Sequence, residues 1–258
     1  MKRKIILGLS LFAIGLLQAD DLCMPQNGLQ VWFRADRAIN TQPGDPAVTY
    51  GGTVSNWSSC CGATTLMTAA TNASVAPLYN PNSFLRTDGS FYPGVRFSRD
   101  INNTITLGTF LQSTAPTAFS ITRSNTWFVV CRPLLNMSQT CLFGSINNGS
   151  RFGAFYVGSP STNILRVHNG NSSIAMQMLV PINRTGIIDS RRTDANTDAT
   201  LNGQFQCSAT GQTTTMVADY FRIGHMLDGV TGKFIGDIAE VVVYNRSVSD
   251  AERLIIQN

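Results

Sequence analysis

Short runs of β-branched and aromatic residues are the feature that most limits how this chain can fold. Residues 29–33, 127–130 and 238–244 are examples, and each run is flanked by glycine, asparagine, serine or another turn-forming residue. Several runs alternate apolar with polar residues, which places one face of a strand in the core and the other in water. The pattern predicts an all-β fold in which two antiparallel sheets pack face to face.

Helical signals are confined to the last residues. Ser249 and Glu252 have the S-x-x-E spacing of a capping box, which predicts one or two helical turns reaching about Ile256. No repeat, low-complexity linker or change of composition divides the chain, so residues 20–258 are expected to form one domain.

Residues 1–19 have the pattern of a signal peptide. A basic start, 2–4, precedes an apolar run, 5–17, and a small residue at the end of 17–19 offers a cleavage site. A transmembrane helix needs about 20 apolar residues, so this run is too short to span a bilayer, and no later segment is long enough. The remaining chain is expected to be secreted, at the cell surface or in the periplasm.

The leader also explains most of the apparent basicity. It carries Lys2, Arg3 and Lys4, three of the four net positive charges of the whole sequence. What remains is nearly neutral and gives no electrostatic argument for a nucleic-acid partner.

Cysteine usage agrees with export. Six cysteines allow three disulfides in an oxidising compartment. Residues 127–132 and 140–144 are predicted to form a hairpin that brings Cys131 and Cys141 opposite each other, which favours a Cys131–Cys141 disulfide. The alternative is a pair of buried free thiols. The partners of the other cysteines are left open: Cys23, Cys60, Cys61 and Cys207.

Four segments, in order along the chain, carry a resemblance to a known family. They are 28–36, 92–97, 198–203 and 234–253, the last containing Ile-Ala-Glu-Val and Tyr-Asn-Arg followed by Ser-Asp-x-Glu. Together they resemble bacterial-type members of the laminin G-like, concanavalin A-like lectin/glucanase family. The resemblance implies a jelly-roll of two antiparallel sheets that binds sugars, proteins or other surface ligands, often with Ca²⁺.

Catalytic patterns are missing from the sequence. The E-x-D-x-x-E strand of the related glucanases is not found, and Asp237 and Glu240, three residues apart, are predicted to lie on opposite faces of a regular strand. The two histidines form no zinc motif, and there is no G-x-S-x-G nucleophile motif. We therefore expect a protein that is not an enzyme.

Candidate sugar-binding residues are aromatic side chains in polar surroundings. Trp57 lies in a polar segment, and Phe91 and Tyr92 follow a turn at 87–90. Aromatic rings can stack on sugar rings, so these three are the predicted ligand contacts. The alternative places each ring in the core of the sandwich.

Two segments are candidate calcium sites, because oxygen ligands suit a hard cation. One comprises Asp194, Asn196 and Asp198, with D-x-N-x-D spacing, and its alternative is a hairpin turn. The other comprises Asp100, Asn102 and Asn103, with Arg99 among them.

These observations predict a lectin-like binding module for carbohydrate or a surface protein, without catalysis. A structural or adhesive component of a surface assembly is the main alternative, and a divergent glycoside hydrolase is a further one.

Overall fold

A computed structural model describes thirteen segments of the chain: 24–39, 52–60, 66–69, 76–97, 109–115, 122–135, 140–147, 150–157, 164–170, 173–176, 180–210, 220–225 and 234–257. The predicted leader lies outside them, as do Cys23, Cys61 and the calcium candidates Asp100, Asn102 and Asn103.

Within these segments the chain forms two antiparallel sheets and one helix. Sheet A contains β1 (Leu29–Arg34), β4 (Leu78–Leu85), β5 (Phe91–Phe97), β7 (Asn125–Pro133), β12 (Gly186–Thr193), β13 (Asn196–Leu201), β14 (Gln204–Ala209) and β16 (Gly236–Tyr244). Sheet B contains β2 (Asn56–Ser58), β3 (Leu66–Ala69), β6 (Leu111–Ser113), β8 (Thr140–Asn147), β9 (Ser150–Val157), β10 (Ile164–Gly170), β11 (Ser173–Met176) and β15 (Arg222–Ile223). The helix is α1 (Asp250–Gln257). The predicted two-sheet antiparallel jelly-roll with a short C-terminal helix is therefore confirmed.

The strand order places β16 near the middle of sheet A. Sheet A runs β14-β13-β12-β7-β16-β5-β4, with β1 also paired to β16, and sheet B runs β11-β10-β9-β8-β15-β6-β3-β2. Each sheet turns one face to the other, and the apolar side chains of these two inner faces form the main core. Trp127 of β7 packs edge-on against Phe143 of β8, with ring centroids 4.9 Å apart.

Strands β7 and β8 do not form the predicted hairpin. β7 pairs with β12 and β16 in sheet A, whereas β8 pairs with β9 and β15 in sheet B. Cys131 and Cys141 therefore lie on strands of different sheets and are not opposite each other in one ladder. Cys131 is buried in the core and makes no disulfide. The predicted Cys131–Cys141 disulfide is wrong for this structure, because local spacing does not show when a chain changes sheets.

The C-terminal capping box is confirmed atom by atom. The Ser249 backbone N–H donates to Glu252 Oε2 (2.8 Å), and the Glu252 backbone N–H donates to Ser249 Oγ (3.2 Å). Arg246 binds the same carboxylate. The helix lies on the outer face of sheet A, where Ile256 packs against the apolar cluster that contains Trp32 and Phe128.

Candidate functional site

Strand β16 has two different partners along one of its edges. Its first residues, Gly236–Ile238, pair with β5, and its later residues, from Glu240 to Tyr244, pair with β1. The pairing changes from β5 to β1 at Ala239, whose carbonyl accepts a hydrogen bond from the Ala35 backbone N–H (2.9 Å). Sheet A therefore opens into a fork at this point.

A β-bulge at Ala239 accompanies the fork. Ile238 lies opposite Cys131 and Glu240 lies opposite Val130, so one extra residue of β16 is inserted between two consecutive residues of β7. Such a bulge shifts the alternation of side chains by one position. Asp237 and Glu240 consequently lie on the same outer face of sheet A, and the prediction that they lie on opposite faces is wrong.

Polar side chains converge at this fork, and we call the group Trp32, Arg34, Asp36, Tyr92 and Glu240 the fork site. The Trp32 indole N–H donates to Glu240 Oε2 (2.9 Å). The Arg34 guanidinium lies over the Trp32 ring, 4.8 Å from its centroid, and donates two hydrogen bonds to Asp36 (3.0 and 2.8 Å). The Tyr92 hydroxyl donates to Asp36 Oδ1 (3.0 Å). The Asp36 carboxylate is thus held rigidly and still has 25 % of its side chain exposed.

The Tyr92 hydroxyl contacts both carboxyl groups of the fork site, since it also bonds Glu240. Burial raises the pKa of Glu240, although the Trp32 hydrogen bond and the Arg34 charge oppose the shift. Burial, followed by the charges of Glu240 and Asp36, raises the pKa of Tyr92. The phenol has one proton for two acceptors, so the Tyr92 hydroxyl can donate to only one of the two carboxyl groups at a time.

The structure separates the three predicted sugar-contacting aromatics. Trp57 is fully buried and packs against Phe33, with the two ring centroids 5.7 Å apart. Its indole N–H donates to the Arg34 carbonyl (2.8 Å). It is a core residue, and its prediction as a ligand contact is wrong. Tyr92 is buried too, so its ring offers no stacking surface, but its hydroxyl belongs to the fork site.

Phe91 is 54 % exposed and lies opposite Leu85 in the β4–β5 hairpin. Neighbouring residues of a strand project to opposite faces, so Phe91 points away from the fork site. Arg86 lies on the fork side, with its guanidinium 4.8 Å from the centroid of the Tyr92 ring. The two faces of this hairpin therefore offer an aromatic surface and a guanidinium, respectively.

The predicted calcium loop at Asp194, Asn196 and Asp198 is a hairpin turn between β12 and β13. Asp194 is 75 % exposed, with Arg123 3.7 Å away, whereas Asp198 binds Arg191 (3.1 Å) and Arg253 (2.6 Å). The three side chains thus do not form the predicted oxygen cage, since arginines already hold Asp198. In the described segments, no three His, Cys, Asp or Glu side chains cluster closely enough to hold a metal ion.

Sequence reasoning missed a second ionic cluster on the outer face, beneath α1. Asp189 is fully buried and accepts from Arg253 Nε (2.6 Å) and Gln257 Nε2 (2.5 Å), and Thr200 also donates to it. Burial raises the pKa of Asp189, and the Arg253 charge opposes this. The available signal was Asp189 directly after Ile187 and Ile188, because an acid in a buried strand needs buried partners.

The described helix is too short to cross a membrane. No family model matches the chain. No curated protein matches it either.

Solved structures do share its architecture. Domain 4 of AbnA, a GH43 extracellular arabinanase from Geobacillus stearothermophilus solved with arabinotriose, is similar, with a TM-score of 0.56 and 13% identity, over 91% of this chain and 100% of that domain. A Trypanosoma rangeli sialidase solved with sialic acid is similar over 91% of this chain, with a TM-score of 0.53 and 14% identity, but this chain covers only 33% of that sialidase. At these identities the likeness shows the fold, a two-sheet β-sandwich.

Proposed function

We propose that this chain is a laminin G-like carbohydrate-binding module that acts outside the cytoplasm and does not catalyse a reaction. The observation that carries the proposal is the Asp36 carboxylate, which Arg34 and Tyr92 fix in place while part of it remains exposed. Sugars present neighbouring hydroxyl groups, and a rigid carboxylate can accept hydrogen bonds from two of them without first losing side-chain entropy. The sequence resemblance along β16 supports the laminin G-like assignment.

The β4–β5 hairpin supplies two further contacts in this proposal. Arg86 is exposed beside Tyr92 and offers donors to sugar oxygens near Asp36. Phe91, on the other face, offers an exposed ring for stacking. Only one of these two faces needs to bind the sugar, so variants of the two residues can tell the faces apart.

A glycan array followed by calorimetry tests the proposal. We expect Arg86→Ala to weaken binding at least about tenfold, because a hydrogen bond to a charged group contributes about 1.5–3 kcal/mol. Phe205→Ala is the matched control for Phe91→Ala, since Phe205 is also exposed but lies on β14. Adding EDTA would test for calcium at Asp100, Asn102 and Asn103.

The results separate the alternatives. Loss of binding in Phe91→Ala with wild-type behaviour in Arg86→Ala would move the site to the opposite face of the hairpin. If no glycan binds, the carbohydrate proposal fails and a structural or adhesive role in a surface assembly takes its place.

One observation favours a second candidate, glycoside hydrolysis. The Asp36 and Glu240 carboxyl groups both bond one hydroxyl, so their nearest oxygens lie within about 6 Å of each other. Retaining glycosidases hold an acid and a nucleophile about 5–5.5 Å apart, and the raised pKa of Glu240 suits the acid. Hydrolysis of aryl glycosides or bound glycans, abolished in Glu240→Gln, would support this candidate. Stable binding without product would support the non-catalytic proposal.

A further inference from the structure

The C-terminal helix α1 turns two polar side chains toward the sheet and two large apolar ones to solvent. Arg253 and Gln257, four residues apart, both bind Asp189 of β12. Leu254 and Ile255 are 61 % and 49 % exposed. A helix on a protein surface normally has its apolar stripe against the core and its polar residues in water. The outer side of α1 therefore resembles a surface that another molecule covers.

Phe205 of β14 lies beside this helix. It is 66 % exposed and lies opposite Thr200 of β13, so both side chains project from the outer face of sheet A. Thr200 Oγ1 accepts a hydrogen bond from Gln257 Nε2 (3.1 Å), which places the end of α1 next to this pair. Leu254 lies one turn before Gln257, on the flank away from Ile256, which packs toward β7. The exposed apolar residues of α1 and β14 thus form one surface, which we call the apolar patch: Phe205, Leu254 and Ile255.

Strand β14 is also an end of sheet A. In the described segments it pairs with β13 alone, so the backbone groups along its other edge have no strand beside them. Its sequence, Gln-Phe-Gln-Cys-Ser-Ala, contains no charged residue and no proline. Its one irregularity, a bulge opposite Ala199 and Thr200, leaves Cys207–Ala209 in regular register with β13. The strand lacks the charges and prolines by which sheet edges avoid further pairing.

The other ends of the two sheets are protected. β4, at the opposite end of sheet A, contains Pro81 and has an irregular register with β5. The ends of sheet B, β2 and β11, are three and four residues long. Prolines and short strands both limit pairing with another chain. Among the ends of the described sheets, β14 is therefore the one without such protection.

We propose that β14 pairs with β14 of a second copy of this chain, antiparallel across a twofold axis, and joins two A sheets into one. Antiparallel edges are self-complementary, because both backbones present the same alternation of N–H and C=O groups. The twofold axis is perpendicular to the joined sheet, so the apolar patches of both copies lie on the same side and meet across the junction. The uncharged edge brings no like charges together.

The size of the contact requires both the strand edge and the apolar patch. A stable interface buries about 800 Å² on each partner. A large aromatic side chain buries roughly 150–250 Å², so the three side chains of the apolar patch are too small by themselves. Backbone pairing alone would lack the apolar centre that interfaces have. A second copy fits this surface, because it presents an edge and a patch in the same arrangement.

The dimer goes beyond the proposed function and does not depend on it. Three strands, β13, β12 and β7, separate β14 from β16, so the contact lies away from the fork site. Monomer and dimer should therefore bind a sugar equally well at each fork site.

Sedimentation equilibrium of the purified chain without ligand, over a concentration series, tests the dimer. We expect a reversible monomer–dimer equilibrium. Phe205→Lys and Leu254→Lys should each weaken it at least about a hundredfold, because each substitution occurs twice at a twofold contact. Leu85→Lys is the matched control, because Leu85 is 67 % exposed at the opposite end of sheet A. It should leave the dissociation constant unchanged.

Hydrogen exchange shows which surface joins the two copies. Dimerisation should slow exchange of the amides of Gln204–Ala209 and leave those of Leu78–Leu85 unchanged. Thermal unfolding at a concentration where the chain is monomeric checks that each variant folds.

The results separate the dimer from the proposed function. A chain that stays monomeric at every concentration, or a dimer that Phe205→Lys and Leu85→Lys weaken equally, would overturn the dimer. A dimer that leaves exchange in β14 unchanged would also overturn it, because another surface would then join the copies. Oligomers larger than a dimer would contradict it as well, since a twofold contact closes. Glycan binding by a chain that stays monomeric would refute the dimer and support the proposed function.

Discussion

Asp237 of β16 is fully buried and binds two arginines, Arg96 of β5 (2.8 Å) and Arg132 of β7 (2.5 Å), so its replacement tests how much a buried carboxylate stabilises sheet A. Asp237→Asn keeps the size of the side chain but leaves the guanidinium groups of Arg96 and Arg132 close together without their shared carboxylate. One charge pair at 4 Å interacts by about 4 kcal/mol at an effective dielectric constant of 20. Screening of the partly exposed arginines reduces this value, and asparagine still accepts one hydrogen bond, so we expect a loss of about 3 kcal/mol. Breaking buried ion pairs costs about 3–5 kcal/mol.

Urea denaturation followed by intrinsic fluorescence would measure this change, and a thermal scan should show Tm lower by roughly 6–12 °C. Asp194→Asn is the control, because Asp194 is exposed and lies 3.7 Å from Arg123. Exposed pairs contribute about 0–1 kcal/mol, so the control should change the free energy of unfolding little. A loss below about 1 kcal/mol for Asp237→Asn, or one equal to the control, would refute the argument that Asp237 stabilises the sheet by binding both Arg96 and Arg132.

Three further predictions concern pH, packing and capping. Burial raises the pKa of Glu240 above its ordinary 4.5, so the folded chain keeps a proton that the unfolded chain releases. The free energy of unfolding should therefore fall as pH rises above 4.5, and a pH series of urea denaturation should show a weaker fall in Glu240→Gln. Gly224→Ala should lower the free energy of unfolding by about 2–3 kcal/mol more than Gly89→Ala. Both glycines have positive φ, so the backbone strain is shared. Only at Gly224 would the new Cβ clash, since it would lie 2.2 Å from a ring carbon of Phe97. Similar Tm losses would contradict that clash. Ser249→Ala should cost about 1 kcal/mol by removing the helix cap, and an unchanged Tm would argue against it.

Features that depend on neighbouring residues could be predicted from the sequence. The capping box of Ser249 and Glu252 forms as its spacing indicates. The Asn202–Gly203 pair forms a hairpin turn with positive φ at both residues, 50° and 74°. Each depends on backbone geometry over only a few residues, and therefore the local pattern is enough.

Features that depend on the pairing of distant strands could not be predicted. The bulge at Ala239 has no signal in β16 alone, because it arises where β5 gives way to β1. The burial of Trp57 also depends on a distant strand. A polar segment flanks this residue, but its ring packs in the core against Phe33 and its indole N–H donates to the Arg34 carbonyl. Alternation along one strand shows which residues share a face and does not show what covers that face.

The central position of β16 has a consequence for how the chain reaches its folded state. Its ladder partners lie in 29–34, 95–97 and 126–133, so sheet A stays divided until residues 236–244 have been synthesised and have docked. Contacts between residues so far apart in sequence slow folding, and they leave the strands that β16 will join with unpaired edges in the meantime. A chain truncated before residue 236 should therefore remain open to proteases, and cooperative folding should require β16.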